Sequence, residues 1–289
     1  PDVRLAGIHS RSLGRAQALS AEFRIPIVAT GIAELYERTQ ADLVVIAVPE
    51  LEVRAVAEAC FQFPWTALVE KPAGYNYEDA QMITQAADAR GRRAFVALNR
   101  RFYSSTRQVE RGLIADPSAQ RFIKVQDQED PEQARLGGQP ALVVANWMYA
   151  NSIHLIDFFR IFGRGAITSV APIRRWNPER PGVVVSHIRF ESGDEGLYEG
   201  IWNAPAPWIV SVSTPQTRWE LRPIEQASRQ DRGERRAVPI EAEACDTEYK
   251  AGLQMQARAA IAAARQESTD LPTLADALET MRLTRMIFA

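Results

Sequence analysis

Cysteine is scarce in this chain. Cys60 and Cys245 are the only two in 289 residues, and they stand far apart with no metal-ligand spacing. That excludes a disulfide framework and a thiolate metal site, and it fits a reducing compartment, so a cytoplasmic location is expected. Cys60 lies in an apolar helical pattern and reads as packing. Long hydrophobic runs are also missing. None approaches the roughly 18 apolar residues of a membrane-spanning helix. Charge of one sign is not in excess: 34 basic residues face 36 acidic ones, a net charge of -2. Nucleic acid and anionic membrane are therefore excluded as expected partners. The basic cluster Arg232, Arg235 and Arg236 is interrupted by Gly233 and Glu234 and reads as a solvated loop. There is no internal repeat, no signal peptide and no initiating methionine. The start at Pro1 reads as processed or truncated.

The first third alternates short apolar strands with helices. Strands are predicted at 3–8, 27–29, 43–48, 67–69 and 94–98. Helices are predicted at 14–23, 32–38, 53–60 and 77–89, the first burying Ala16, Leu19 and Phe23. The run Leu43-Val44-Val45-Ile46-Ala47-Val48 suits a parallel strand covered on both faces. Such alternation implies right-handed βαβ units in a doubly wound sheet. After about residue 115 the period becomes two, as in Val185-Ser186-His187-Ile188-Arg189-Phe190. Strands at 122–128, 167–173, 183–190, 196–202, 209–213 and 218–221 make a mostly antiparallel sheet, with a hairpin at Gly193-Asp194-Glu195-Gly196. Helices follow at 151–162, 247–265 and 273–288. The polar stretch 129–140 reads as a mobile loop.

A doubly wound nucleotide-binding sheet opens with a strand and a glycine-rich turn, G-x-G-x-x-G. Gly7 and Gly14 do not supply that spacing. In the strand order 3-2-1-4-5-6 the first strand is central, and without it the sheet splits into halves with unpaired edges. The expectation is that residues 3–8 form the second strand and that roughly 25–30 residues precede Pro1 in the native protein, given a ~30-residue βαβ unit. The end of that strand meets the adenosine ribose in such folds. Here it reads His9-Ser10-Arg11-Ser12, with no carboxylate. Ser10 and Arg11 suit a 2′-phosphate and favour NADP over NAD. Ser10 and Ser12 equally suit the cap of the next helix.

Val69-Glu70-Lys71-Pro72 carries the strongest chemical signal. Proline disfavours the α conformation in the residue before it, so Lys71 hangs off the strand's carboxyl end. That is the edge where open α/β sheets bind ligands. A lysine held in such a crevice has its pKa lowered by burial and can exchange protons near neutrality. On the triplet alone, a surface lysine in a loop is the commoner meaning.

Four segments together resemble the glucose–fructose oxidoreductase / inositol dehydrogenase / MocA (Gfo/Idh/MocA) family: residues 6–23, Ala47-Val48-Pro49, Val69–Pro72 with Asn99-Arg100-Arg101-Phe102, and His154-Leu155-Ile156-Asp157. The resemblance implies a nicotinamide-binding Rossmann domain over 1–103 and a substrate-binding and oligomerisation α+β domain with an open antiparallel sheet over 104–289. The C-terminal helix is a candidate to pack back on the first domain. It implies hydride transfer between NADP or NAD and a sugar, polyol or nucleotide-sugar substrate, and a homodimer or homotetramer built through the exposed sheet face. By the same likeness Lys71 is the principal acid/base and His154 assists; Val48, Pro49 and Glu70 line the cofactor; and the Lys71–Pro72 peptide is cis. From its sequence context alone, His154 is a core residue of an apolar helix, and Asp157 pairs with it or caps a neighbour. No metal site is expected. Arg101 and Tyr103 read as substrate ligands or as surface groups, and Tyr149 and Asn151 as hydroxyl ligands or as packing and a helix cap. Trp147, Trp176, Trp202 and Trp208 read as a stacking wall or as core.

One departure stands out. Sugar dehydrogenases of this family usually carry an aspartate four residues before the histidine; here Ala150 occupies that position. Alanine cannot take a proton, and removing a general acid/base typically costs about 10²–10⁴ in rate. Two further readings stay open: a catalytically inactive nicotinamide-nucleotide sensor of the same fold, and an enzyme acting on an imine or enone.

Overall fold

The computed structural model describes residues 3–289. Its first part carries β1 (Ile8–His9), β2 (Val28–Ala29), β3 (Leu43–Ile46), β4 (Thr66–Glu70) and β5 (Ala94–Ala97). All pairings among them are parallel, in two separate sheets ordered β1-β2 and β3-β4-β5. This is the split expected of a 3-2-1-4-5-6 sheet without strand 1. The split also explains three departures from expectation. Residues 3–7 form no strand, and β1 keeps only two pairs, because one partner strand holds it from one side only. Val45, at mid-strand, is 60% exposed instead of covered on both faces. The helix Leu13–Phe23 buries Ala16, but Leu19 and Phe23 stay exposed. Ser12 caps that helix, accepting from the Arg15 N–H.

The second part is one eight-stranded sheet. Its strands are β6 (Phe122–Glu129), β7 (Ile167–Arg174), β8 (Val183–Phe190), β9 (Glu195–Trp202), β10 (Ile209–Ser213), β11 (Thr217–Leu221), β12 (Ala227–Asp231) and β13 (Val238–Ile240). The order is β13-β12-β11-β10-β6-β9-β8-β7, antiparallel except for the parallel pair β6–β9. β12 and β13 were not expected: their polar residues alternate too little to read as strands. One face buries Ile123, Val125, Val184, Ile188, Tyr198, Val210 and Trp219 against Leu155, Phe158, Phe159 and Phe162. The other face stays partly open. At the β8–β9 hairpin Asp194 is fully buried, accepting from the backbone N–H groups of Arg121 and Arg164 and from the Arg164 guanidinium.

Three other expectations change. The stretch 129–140 holds a helix, Pro131–Leu136, capped by Asp130 with Pro131 in its first turn, where a missing N–H costs nothing. The helix predicted over 151–162 begins earlier, as a π-helical turn Met148–Ser152 that runs into Ile153–Ile156 and Phe158–Phe162. The helix predicted over 247–265 is two pieces, Ala244–Thr247 and Leu253–Ala264, parted by Gly252 at φ 75°. The helix Leu274–Ile287, with a Thr273–Asp276 capping box, joins both cores: Leu274, Ala277 and Met281 pack with the parallel part, Leu283 and Ile287 with the sheet. Just before it, Pro272 accepts a hydrogen bond from the Val96 N–H, and Thr273 bridges to Phe95, covering the edge of β5.

Candidate active site

β4 is buried along Thr66–Val69, and its exit delivers Lys71 to the boundary between the two parts. The Lys71–Pro72 peptide is cis. Gly74 then turns at φ 116°, and a Cβ there would stand 2.4 Å from the Ala80 backbone nitrogen, so only glycine fits. Lys71 Nζ donates to the Ala150 carbonyl at 2.8 Å. Burial lowers its ammonium pKa; Glu70 opposes this, Arg100 adds to it, and Glu50 and Glu129 oppose it further. His154 projects from the helix across the boundary. It is 7% exposed, its Nδ1 has no partner among the described residues, and burial with Lys71, Arg100 and Lys250 nearby holds its pKa well below the usual imidazole value. Lys71 and His154 thus stand near each other, a half-buried amine and a buried imidazole held toward its neutral form.

Several sequence-derived candidates lie elsewhere. The Arg101 guanidinium donates twice to Asp157, both at 2.7 Å, and Asp157 also accepts from Thr280 Oγ1 at 2.8 Å. Arg101 is therefore a buried tie, and Asp157 pairs with it and not with His154. Tyr149 packs into the core of the parallel part beside Ile153. Asn151 Nδ2 donates to Glu129 Oε2 at 2.9 Å. Trp202 and Trp176 pack on each other and on Phe288 as core, whereas Trp147 Nε1 donates to Glu129 Oε2. The Arg100 guanidinium lies 4.8 Å over the Trp208 ring. Tyr103 is buried against Gly252.

The front of the parallel part bears the cofactor candidates. Ser10 Oγ accepts from the Ser12 N–H, while Arg11 reaches outward and pairs with Glu52 at 2.8 Å. A carboxylate does stand at the end of β1, delivered from the turn after β3. Val48 is half-buried against the core and Pro49 is exposed just before that turn. The glycine-rich turn for the pyrophosphate is not among the 289 residues. No group of three metal-ligating side chains occurs among the described residues.

The sequence reading missed Asp127 and Glu129. Both are buried on the apolar face of β6, in register with Ile123 and Val125. The alternation Ile123-x-Val125-x-Asp127-x-Glu129 carried the signal, two carboxylates where the period demands apolar groups. A cavity of about 470 Å³ lies apart, lined by Arg101, Arg107, Arg111 and Arg160 among others. Each of these arginines is paired with a carboxylate, which leaves no convergent free charge there.

Residues 1–98 match the Gfo/Idh/MocA profile, described as an oxidoreductase family with an NAD-binding Rossmann fold. The first third of this chain is thus similar to the nucleotide-binding domain of that family. Solved structures extend the likeness of fold over the whole chain. A dehydrogenase from Chromobacterium violaceum superposes with a TM-score of 0.84 at 19% identity, covering 99% of this chain and 86% of its own. The aldose-aldose oxidoreductase of Caulobacter crescentus, complexed with glycerol, gives 0.79 at 18%, covering 99% and 88%. The WlbA dehydrogenase of C. violaceum, in complex with NADH and UDP-GlcNAcA, gives 0.73 at 15%, covering 98% and 84%. No curated protein sequence matches this one. Among the described residues, no helix is long and apolar enough to cross a membrane.

Proposed function

We propose that this Gfo/Idh/MocA chain is an NAD(P)-dependent dehydrogenase or reductase acting on a sugar, polyol or nucleotide-sugar-like substrate. The observation that carries this is the half-buried Lys71 amine at the exit of β4 with the buried His154 imidazole near it, whose Nδ1 has no partner among the described residues. One structural neighbour named an aldose-aldose oxidoreductase, and another in complex with UDP-GlcNAcA, support the substrate class. The nicotinamide ring supplies or accepts the hydride. Ser10 and Arg11 are read as its adenosine-side contacts; Val48, Pro49 and Glu70 line its other end. Lys71 gives the proton to a carbonyl oxygen on reduction, or takes it from a hydroxyl on oxidation. His154 hydrogen-bonds the same oxygen and shares the proton. Asn151 and the Trp147 side of the helix form the substrate wall, with Arg101 and Tyr149 serving as structure.

Titration with NADPH and with NADH, followed by tryptophan fluorescence, tests the cofactor part. Turnover against a panel of sugars and nucleotide sugars tests the chemistry. Lys71→Ala is expected to abolish turnover while leaving cofactor affinity nearly intact; retained turnover in that variant overturns the assignment. Ala150 favours a second reading, a nucleotide sensor without turnover, which cofactor binding with a blank panel would select.

A further inference from the structure

Lys71 donates to the backbone of Ala150, whose side chain cannot take a proton, and β6 brings two buried carboxyls to the same region. Each has one oxygen engaged. Asp127 Oδ2 accepts from the Tyr198 hydroxyl at 2.7 Å. Glu129 Oε2 accepts from Trp147 Nε1 at 2.7 Å and from Asn151 Nδ2 at 2.9 Å. The other oxygens, Asp127 Oδ1 and Glu129 Oε1, are buried with no donor to meet them, although the two carboxyls stand within hydrogen-bonding range of each other. Two ionised carboxylates at 0% and 1% exposure would face each other across that gap. Like charges so placed do not both ionise; one proton lying between the two oxygens satisfies both. Every charged or titratable group around the pair fits this. Tyr198 approaches from β9 and Ser152 from the helix, while Arg100 acts on both carboxyls and Lys71 on Glu129, so positive charge faces the pair's one negative charge from two groups.

The pair is also coupled to Lys71 by construction. Ala150 and Asn151 are adjacent in the π-helical turn; the carbonyl of the first accepts from Lys71, and the side chain of the second donates to Glu129. Glu129 lies close enough for its charge to act on the Lys71 amine.

We propose that Asp127 and Glu129 hold a single proton between them and form the proton store for Lys71, doing from the sheet what position 150 has no atoms to do. The role rests on the hydride-transfer reading above. On reduction the Lys71 ammonium gives its proton to the new hydroxyl and takes the pair's proton as solvent delivers another to the pair, so the two carboxyls do not stand ionised together. Oxidation runs the same transfers backwards, with no other reactant.

The test uses the full chain without substrate or cofactor. Infrared spectroscopy at neutral pH is expected to show the carbonyl stretch of a protonated carboxylic acid, moved by D2O, lost in Glu129→Gln and displaced in Asp127→Asn. A native protein without that band, or a Glu129→Gln protein that keeps it unchanged, overturns the shared proton. Competitive acetylation across pH reads the coupling, since the chain has three lysines and Lys124 serves as the internal reference. Removing the pair's charge with Asp127→Asn and Glu129→Gln together is expected to make Lys71 reactive at lower pH. An unchanged Lys71 profile overturns the coupling. Neither readout needs turnover, so a blank substrate panel and a failed proton pair are separate results.

Discussion

At the scale of single residues, the chemistry of this chain was legible wherever local sequence fixes direction. Lys71 could be placed because a proline follows it and an apolar strand precedes it. Cys60 could be set aside as packing, and its burial pushes the thiol up to about 12, far from a reactive thiolate. What could not be read was the partner brought from elsewhere. Arg11 meets Glu52 across 41 positions, and Glu129 meets Asn151 across 22. For cofactor choice the Arg11–Glu52 pair makes a sharp case. Arg11→Ala is expected to weaken NADPH binding by about tenfold, about 1.4 kcal/mol, and to leave NADH unaffected. Glu52→Gln, which frees the guanidinium, is expected to strengthen NADPH binding. Fluorescence titration of both variants with both nucleotides checks this, and equal losses for the two nucleotides in Arg11→Ala would reject a 2′-phosphate role.

Elements were legible in proportion to their periodicity. Six of the eight strands of the large sheet were found within a residue or so, because one covered face forces strict alternation. β12, β13 and the helix Pro131–Leu136 were missed; polar sequences of this kind take their conformation from neighbours and caps. The helix carrying His154 was found, but not its π-helical start, which no periodicity encodes. Its far end is fixed by Asp157, held by Arg101 and Thr280. Asp157→Ala strands a buried guanidinium, and breaking such a pair costs about 3–5 kcal/mol. Chemical denaturation is expected to show a loss of that size, and Thr280→Val a smaller one of about 1 kcal/mol, as for a single hydrogen bond.

At the scale of the whole molecule, buried titratable groups set how stability varies with pH. Burial, with Asp127 beside it, raises the pKa of Glu129 well above the ordinary carboxylate value, so the folded chain holds a proton that the unfolded chain releases. Its contribution to stability is full below the unfolded value and is lost as pH rises through the folded one. His154 works in the opposite sense: with a folded pKa below 6.5, its contribution is present above that value and is lost as pH falls. Glu129→Gln is therefore expected to gain stability relative to the parent as pH rises, and urea midpoints across pH measure the difference. The partly open face of the large sheet carries Phe122 at 42% exposure. If that face joins copies of the chain, sedimentation velocity will show a dimer or tetramer, and Phe122→Asp will shift it toward monomer.

The edge of β5 is closed by residues 272–273, and the core behind it by Leu274, Ala277 and Met281. During synthesis those residues leave the ribosome roughly 10–40 s after β5, at about 5–20 residues per second. For that interval the parallel half has an open edge and an unfilled core, while the large sheet is being made. The usual order, in which the first domain folds before the second is synthesised, is closed to this chain. Its two halves mature together, and nascent chains halted before residue 272 should stay susceptible to protease throughout.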